Sequence, residues 1–296
     1  MVRTRRWWVR RQWVPYLLVL PFVALFAVFF IAPLVGALTN SLFTKKLIGG
    51  TTFVGLENYA RVLTDASFLG SLGRIVLYAV IAIPVAILIP LILALVADSG
   101  VVPRQGLFQT LFFLPYAIPS VIATLMWGFL YGPTISPFTD IAGWFGIDLN
   151  LVSKDLILPS IANIGIWLAA GYNMIVFYSA LKSVPPETVE AARLDGAGPM
   201  RIALSIKTRM IFPVVSTIVI FSIIGTLQLF AEPQVLQTIA PTVITSDFTP
   251  NLYAYSLAAS GQQMNYVSAM TFVIGAIVIA FSVVYLRVTR RYRDVS

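Results

Sequence analysis

The chain has 296 residues, of which 58% are hydrophobic and 11% charged, and its mean hydropathy is +0.88. This excludes an ordinary soluble domain, in which about 25% of residues carry charge. With no Cys and no His there is no disulfide framework, thiolate nucleophile, imidazole base or Cys/His metal site, and the +8 net charge marks cytoplasmic loops rather than a nucleic-acid surface.

A basic N-tail, 1–13, holds Arg3, Arg5, Arg6, Arg10 and Arg11, with Trp7, Trp8 and Trp13 suited to a membrane interface. No charged side chain lies between Arg11 and Lys45, and the run 14–38 is long enough for a membrane-crossing helix, which needs about 20 apolar residues. It is too long for the hydrophobic part of a signal peptide, so it is expected to stay as an anchor. An outer loop follows, broken at Gly49-Gly50 and restarted by the amphipathic piece Phe53-Val-Gly-Leu-Glu-Asn-Tyr59. Further spans are predicted at 75–97, 107–131, 156–181, 210–231 and 267–286, before a basic C-tail at 290–296. The fold class is therefore an all-α membrane protein, one domain of six transmembrane helices over 14–289.

Six crossings put both termini on one side. With that side cytoplasmic, the other face keeps only Lys45, Lys46, Arg61, Arg74 and Lys154 of the 20 Lys+Arg. So strong a positive-inside bias predicts N-in, C-in.

The cytoplasmic loop 182–209 is polar between two apolar spans. Pro185-Pro186 can open a helix without wasting a backbone N–H, and Glu187 and Glu190 suit its positive end. Ala191 and Ala192 are small enough for close helix approach, and Gly196 with Gly198-Pro199 stops or turns the chain. A second helix is expected from Met200 to Ile211, with Ile202, Ile206 and Met210 on one face. Such a helix–hinge–helix can dock into a soluble partner or lie in the membrane interface, and the residues alone leave both open.

The stretch Val184-Pro-Pro-Glu-Thr-Val-Glu-Ala-Ala-Arg-Leu-Asp-Gly-Ala197 resembles the EAA loop of ABC importer permeases, the membrane subunits of binding-protein-dependent uptake systems. Phe53 to Tyr59 and Leu111-Phe-Phe-Leu-Pro-Tyr-Ala-Ile-Pro119 are similar to segments of the carbohydrate-uptake branch, the MalF-like sugar permeases. The resemblance implies a type I importer (MetI-like) transmembrane domain in the bacterial or archaeal cytoplasmic membrane. It implies a second, similar permease beside it, two cytoplasmic ATPase subunits that hold ATP and Mg, and an extracytoplasmic solute-binding protein. It gives this chain no cofactor and no catalytic site of its own. Glu190, Ala191, Ala192, Asp195 and Gly196 would be the ATPase-coupling positions.

Two departures from the family pattern stand out. Ile206 falls where an Ile-x-Leu-Pro segment is expected, but Thr208-Arg209 fill the Leu-Pro slots. The nearest proline, Pro213, lies about one 3.6-residue turn further on, which predicts a longer linker into the fifth span. The outer segment after that span reads Leu236-Gln-Thr-Ile-Ala-Pro241 rather than the Gly-rich sequence common among sugar permeases.

A solute path through lipid must be lined by polar groups facing the bundle interior. Asn163 and Trp167 share a face of the fourth span, and Gly225, Gln228 and Glu232 align on the fifth. With Asn173, Tyr172 and Trp127 they offer the amides, carboxylate and rings that suit a polyhydroxylated solute. The alternative is that the amides join helices and the Trp rings pack. An ion-coupled secondary transporter would want ionisable groups at mid-membrane, which these spans lack, and a membrane enzyme would want a nucleophile with its base. An ABC permease for a solute other than a sugar is a further alternative.

Overall fold

A computed structural model of the chain describes residues 6–46, 50–132, 136–261 and 263–293. Among the sequence expectations, Arg3, Arg5, the Gly49 break and the end of the C-tail lie outside these residues. The chain divides into two compact units, 1–64 with 257–273, and 65–256 with 274–296.

In the first unit, α1 starts at Arg6 and runs through a π-helical turn, Ala27–Ile31, to Ser41. The second half of the expected N-tail is thus already helical. Its part Trp13–Ser41 is apolar enough to cross a membrane and buries none of its apolar window within the chain, as a lipid-facing helix would. Strands β1 (Phe43–Lys46) and β2 (Gly50–Phe53) pair antiparallel, with the Phe43 and Phe53 rings edge to face at 5.4 Å. The short helix α2 (Glu57–Thr64) then anchors the hairpin to the end of α1. Buried Asn58 donates to the carbonyls of Ser41 (2.8 Å) and Phe43 (2.9 Å), and the Tyr59 hydroxyl meets Ser41 Oγ at 2.7 Å. The Phe53–Tyr59 motif is thus a fastening, in which Asn58 and Tyr59 are matched to backbone and hydroxyl partners.

The second unit is built on α3 (Ala66–Asp98). Asp65 caps it, accepting from the amides of Ser67 (2.9 Å) and Phe68 (3.2 Å), which satisfies donors that otherwise have no partner in a first helical turn. The third span is two helices, α4 (Gln105–Ala117) and α5 (Ser120–Tyr131), bent by 95° at the break. This corrects the single helix expected over 107–131. Pro115 sits in a tight 3₁₀ turn, Leu114–Ala117, and Ile118 before Pro119 is extended (φ −82, ψ 127). A residue preceding proline avoids the helical region, and proline itself offers no N–H to continue the ladder. The Leu111–Pro119 motif is the break itself.

After α6 (Pro137–Trp144) comes α7 (Ile157–Lys182), lying along α3 in the same direction. One core cluster gathers Ile75, Tyr78, Ile161, Ile164, Leu236 and Leu252, and a second Ile87, Leu91, Met174, Phe177, Leu181 and Ile218. The polar loop forms α8 (Pro186–Leu194) and a second helix, α9, over 199–210, whose middle turn Ile202–Lys207 is π-helical. Pro213 then lies in the first turn of α10 (Phe212–Leu227), where its missing N–H costs nothing. The longer linker is therefore helical. Short helices α11 (Ala231–Leu236) and α12 (Pro250–Ala259) precede α13 (Met264–Arg293). Among the described residues five helices are long and apolar enough to cross a membrane, and six spans result when α4 and α5 count as one.

Lipid tails are as apolar as Leu, so helices in a bilayer associate through close contact rather than by escaping water. Gly171 is where α7 exploits this: a Cβ there would fall 1.9 Å from the Phe112 carbonyl oxygen and 2.6 Å from Phe113 Cα. Backbone atoms cannot rotate aside. Gly171→Ala is therefore expected to force α7 and α4 apart, at a cost at or above the roughly 1–3 kcal/mol of core overpacking. Thermal unfolding of the detergent-solubilised protein should show a clear drop for Gly171→Ala and none for Gly143→Ala, where a Cβ meets nothing within 4 Å.

Candidate functional site

Two features of the second unit carry functional geometry, and the first is the α8–α9 loop. Pro186 occupies the first turn of α8, Glu187 lies at its positive end and Arg193 at its negative end. The helix stops in a Schellman arrangement. Ala197 N–H donates to Ala192 O (2.9 Å), Gly196 N–H donates to Arg193 O (3.0 Å), and Gly196 has φ +79. That left-handed backbone is why a glycine stands there. Glu190, Ala191, Asp195 and Gly196 are exposed, and Ala192 is partly so. Leu194 is 90% exposed and Met200 72%, so the hinge presents apolar groups beside its charges.

The second feature is a cavity of about 800 Å³ lined by α3, α4, α7 and α10 and by the residues that follow α10. Tyr116, delivered by the break in the third span, stacks on Tyr172 at 4.9 Å with the planes 17° apart. Asn173, Gln228 and Glu232, three of the sequence candidates, line it together with Gly225, Thr217 and Ser222. Glu232 lies in the first turn of α11, and among the described residues the lining contains no Lys or Arg. Asn173 also reaches the Ala86 carbonyl at 3.5 Å, so it links α7 to α3 while facing the cavity.

Asn163 and Trp167 lie elsewhere. The Asn163 amide donates to the Tyr131 hydroxyl (2.8 Å), which donates to the Ser160 carbonyl (3.1 Å). Trp167 packs edge to face on Trp127 at 5.6 Å. Together with Phe138, Asn163, Trp127 and Tyr131 border a separate cavity of about 270 Å³. Sequence spacing put Asn163 and Trp167 on one face, but that face meets α5 rather than the large cavity.

Tyr78, Tyr116, Thr217 and Ser222 went unselected in the sequence, because hydroxyl side chains in apolar helices carry no periodic signal. Asp98, just past the span predicted at 75–97, also went unselected. In the structure its carboxylate, 6% exposed, meets Lys182 Nζ at 3.0 Å and Lys207 Nζ at 2.5 Å.

Residues 99–294 match the family model described as "Binding-protein-dependent transport system inner membrane component". The chain belongs to that family. It is 34% identical over 209 residues to the sn-glycerol-3-phosphate transport system permease protein UgpA of Salmonella typhimurium, covering 69% of this chain and 70% of that protein. The Yersinia pestis protein of the same name is 33% identical over 207 residues, 69% of each chain. A chain in the crystal structure of a bacterial alginate ABC transporter in complex with an alginate pentasaccharide-bound periplasmic protein superposes with a TM-score of 0.83. It covers 97% of this chain and 98% of its own length, and at 21% identity it attests the fold. This inner membrane component is thus a multi-pass transport protein, as its helices indicate.

The separation of the two cavities makes a prediction for this transport component. Asn163→Leu removes the hydrogen bond that the Tyr131 hydroxyl accepts and should lower stability by about 0.5–1.5 kcal/mol while leaving uptake per folded molecule near normal. Gln228→Ala should reverse the pattern, reducing uptake at least tenfold with little change in thermal unfolding. Flux assays normalised to folded protein, run beside unfolding curves, read both effects.

Proposed function

We propose that this chain is the permease subunit of an ATP-driven importer for a neutral sugar or related polyhydroxylated solute. It forms half of the translocation path beside a second, similar permease. The observation that carries this reading is the exposed, Schellman-terminated α8 with its Gly196 hinge, joined to α7 at one end and through α9 to α10 at the other. Two cytoplasmic ATPase subunits, holding ATP and Mg, each take one such helix in a groove. An extracytoplasmic solute-binding protein delivers the solute to the opposite face. ATP hydrolysis belongs to the ATPases, and this chain supplies the path and the lever.

The lever works by differential contact. ATP-driven closure of the ATPases favours one position of α8 over another, and because α8 is tied to the bundle, that preference becomes a preference between inward- and outward-facing arrangements. Both termini and the 182–209 loop are cytoplasmic in this reading, in the cytoplasmic membrane of a bacterium or archaeon. The basic residues that flank the loop support that orientation. Glu190 meets a basic group on the ATPase, Ala191 and Ala192 permit close approach, and Asp195 and Gly196 shape the turn. Glu190→Arg and Gly196→Leu are each expected to abolish uptake with membrane insertion intact. Normal solute-stimulated ATP hydrolysis in either variant would overturn the coupling role.

The solute class follows from the cavity. Stacked Tyr116 and Tyr172 offer flat rings for the apolar face of a sugar, and Asn173, Gln228, Thr217 and Ser222 offer hydrogen-bonding groups for its hydroxyls. Glu232, with no cation among the described lining residues, disfavours an anion such as the cargo named for the UgpA relatives. At about 6 Å and an effective dielectric constant of about 20, two like charges repel by roughly 3 kcal/mol, about two decades in affinity. Glu232→Gln should accordingly raise uptake of a phosphorylated or uronic-acid analogue about tenfold or more, with the neutral sugar little affected. Proteoliposomes containing the full transporter and supplied with either class of solute test this, and a wild-type preference for the anion would sink the assignment.

A further inference from the structure

The residues that flank the coupling loop meet at one buried carboxylate. Asp98, the last residue of α3, has its side chain 6% exposed, and it pairs with Lys182 Nζ at 3.0 Å and Lys207 Nζ at 2.5 Å. Lys182 is the last residue of α7, where the chain leaves for α8, and Lys207 closes the π-helical turn of α9 on the way back. Residues 183–206, most of the 182–209 loop, therefore hang between two lysines held by a single acid.

Asp98 has no local reason to stand where it does. The C-terminus of a helix carries partial negative charge, so a carboxylate in its last position opposes the dipole. A carboxylate this sheltered from water must also be paired to remain charged. Lys182 and Lys207 supply that pairing, and each belongs to a different segment. The surroundings are organised to match. The Gln105 amide donates to the Ala97 carbonyl beside Asp98 and meets the Tyr178 hydroxyl at 2.8 Å, while Lys182 Nζ lies 5.1 Å from the centre of the Tyr178 ring. The π-helical turn changes the phase of the residues at its end relative to an α-helix, and Lys207 lies there.

We propose that Asp98 is a positioning residue that staples both feet of the coupling loop to α3 and α7, so that displacement of α8 is delivered to the bundle instead of being absorbed by a free loop. This rests on the coupling role of α8 given above. Asp98 itself touches neither solute nor ATPase. The lysines are unequal: Lys182 is 53% exposed at its side chain and Lys207 20%, so the Lys207 contact is less weakened by water and carries more of the hold.

The test uses the assembled transporter in proteoliposomes, with uptake, ATP hydrolysis and the amount of complex measured together. Asp98→Asn should lower solute uptake per ATP hydrolysed at least tenfold while hydrolysis continues without stimulation by loaded binding protein. Asp98→Glu should retain most of the coupling, and Lys207→Met should lose more than Lys182→Met. Unchanged uptake per ATP in Asp98→Asn, or a loss explained wholly by less assembled complex, overturns the proposal. A second measurement needs no ATPase. The chain has no cysteine, so a nitroxide on Leu194→Cys, a site 90% exposed, reports the loop alone in the full-length chain in a bilayer. Asp98→Asn should make that label markedly more mobile, and an unchanged spectrum overturns the staple. If the wild-type transporter takes up no solute with ATP while the label still loosens in Asp98→Asn, the importer reading fails and the staple stands.

Discussion

The carbonyl oxygen of Phe112 lies where a side chain on residue 171 would begin, and the arrangement of the second unit around its cavity depends on that approach. In water, helices can be driven together by burying apolar surface. In a bilayer that drive is absent, and contact geometry must supply the association. Gly171 lets the backbone of α7 touch the third span just before it breaks. The break turns α5 away from α4 and leaves Tyr116 stacked on Tyr172. One missing Cβ and two prolines thus set the wall of the cavity.

The helix α3 is held at both ends by charge and along its middle by packing. Near its start, Arg74 Nε donates to the Phe248 carbonyl (2.9 Å), its guanidinium lies 3.6 Å from the Asp247 carboxylate, and Tyr253 donates to the capping carboxylate of Asp65 (3.0 Å). At its far end Asp98 gathers two lysines. The Arg74–Asp247 ion pair is about a third exposed on each side, where such pairs contribute roughly 0–1 kcal/mol, so the backbone hydrogen bonds matter more there. The Asp98 cluster is sheltered, and its loss leaves charges without partners. The two ends of one helix therefore differ in kind: the fastening near its start is distributed over several weak contacts, and the one at its end is concentrated in a single residue.

Hydropathy made the spans legible because a bilayer demands length and apolarity from each of them, and these are local properties of a sequence. The loop motif was legible for a similar reason: the Pro-Pro start, the alanines and the hinge glycine all act within one short helix. The Phe53–Tyr59 and Leu111–Pro119 segments were visible as family signatures, but their physical roles were not. Asn58 fastens a hairpin whose partners come from Ser41 and Phe43, and Pro119 breaks a helix that hydropathy reads as continuous. Asn163 and Trp167 show the limit of helical spacing, which places residues on a common face without saying what that face meets. Asp98 was hidden because its meaning lies in Lys182 and Lys207, far along the chain.

The bend in the third span has a mechanical consequence. A continuous helix resists bending through an unbroken ladder of backbone hydrogen bonds, so a push at one end arrives at the other. Between Leu114 and Pro119 that ladder is interrupted, and the chain passes through one extended residue, Ile118. The third span is therefore a pair of rods joined by a pivot, and torque applied to α4 need not rotate α5. By contrast α7 and α3 stay helical from end to end, α3 even across Pro84 and Pro90, each of which removes one hydrogen bond from its ladder. Within one bundle, two members behave as struts and one as a joint.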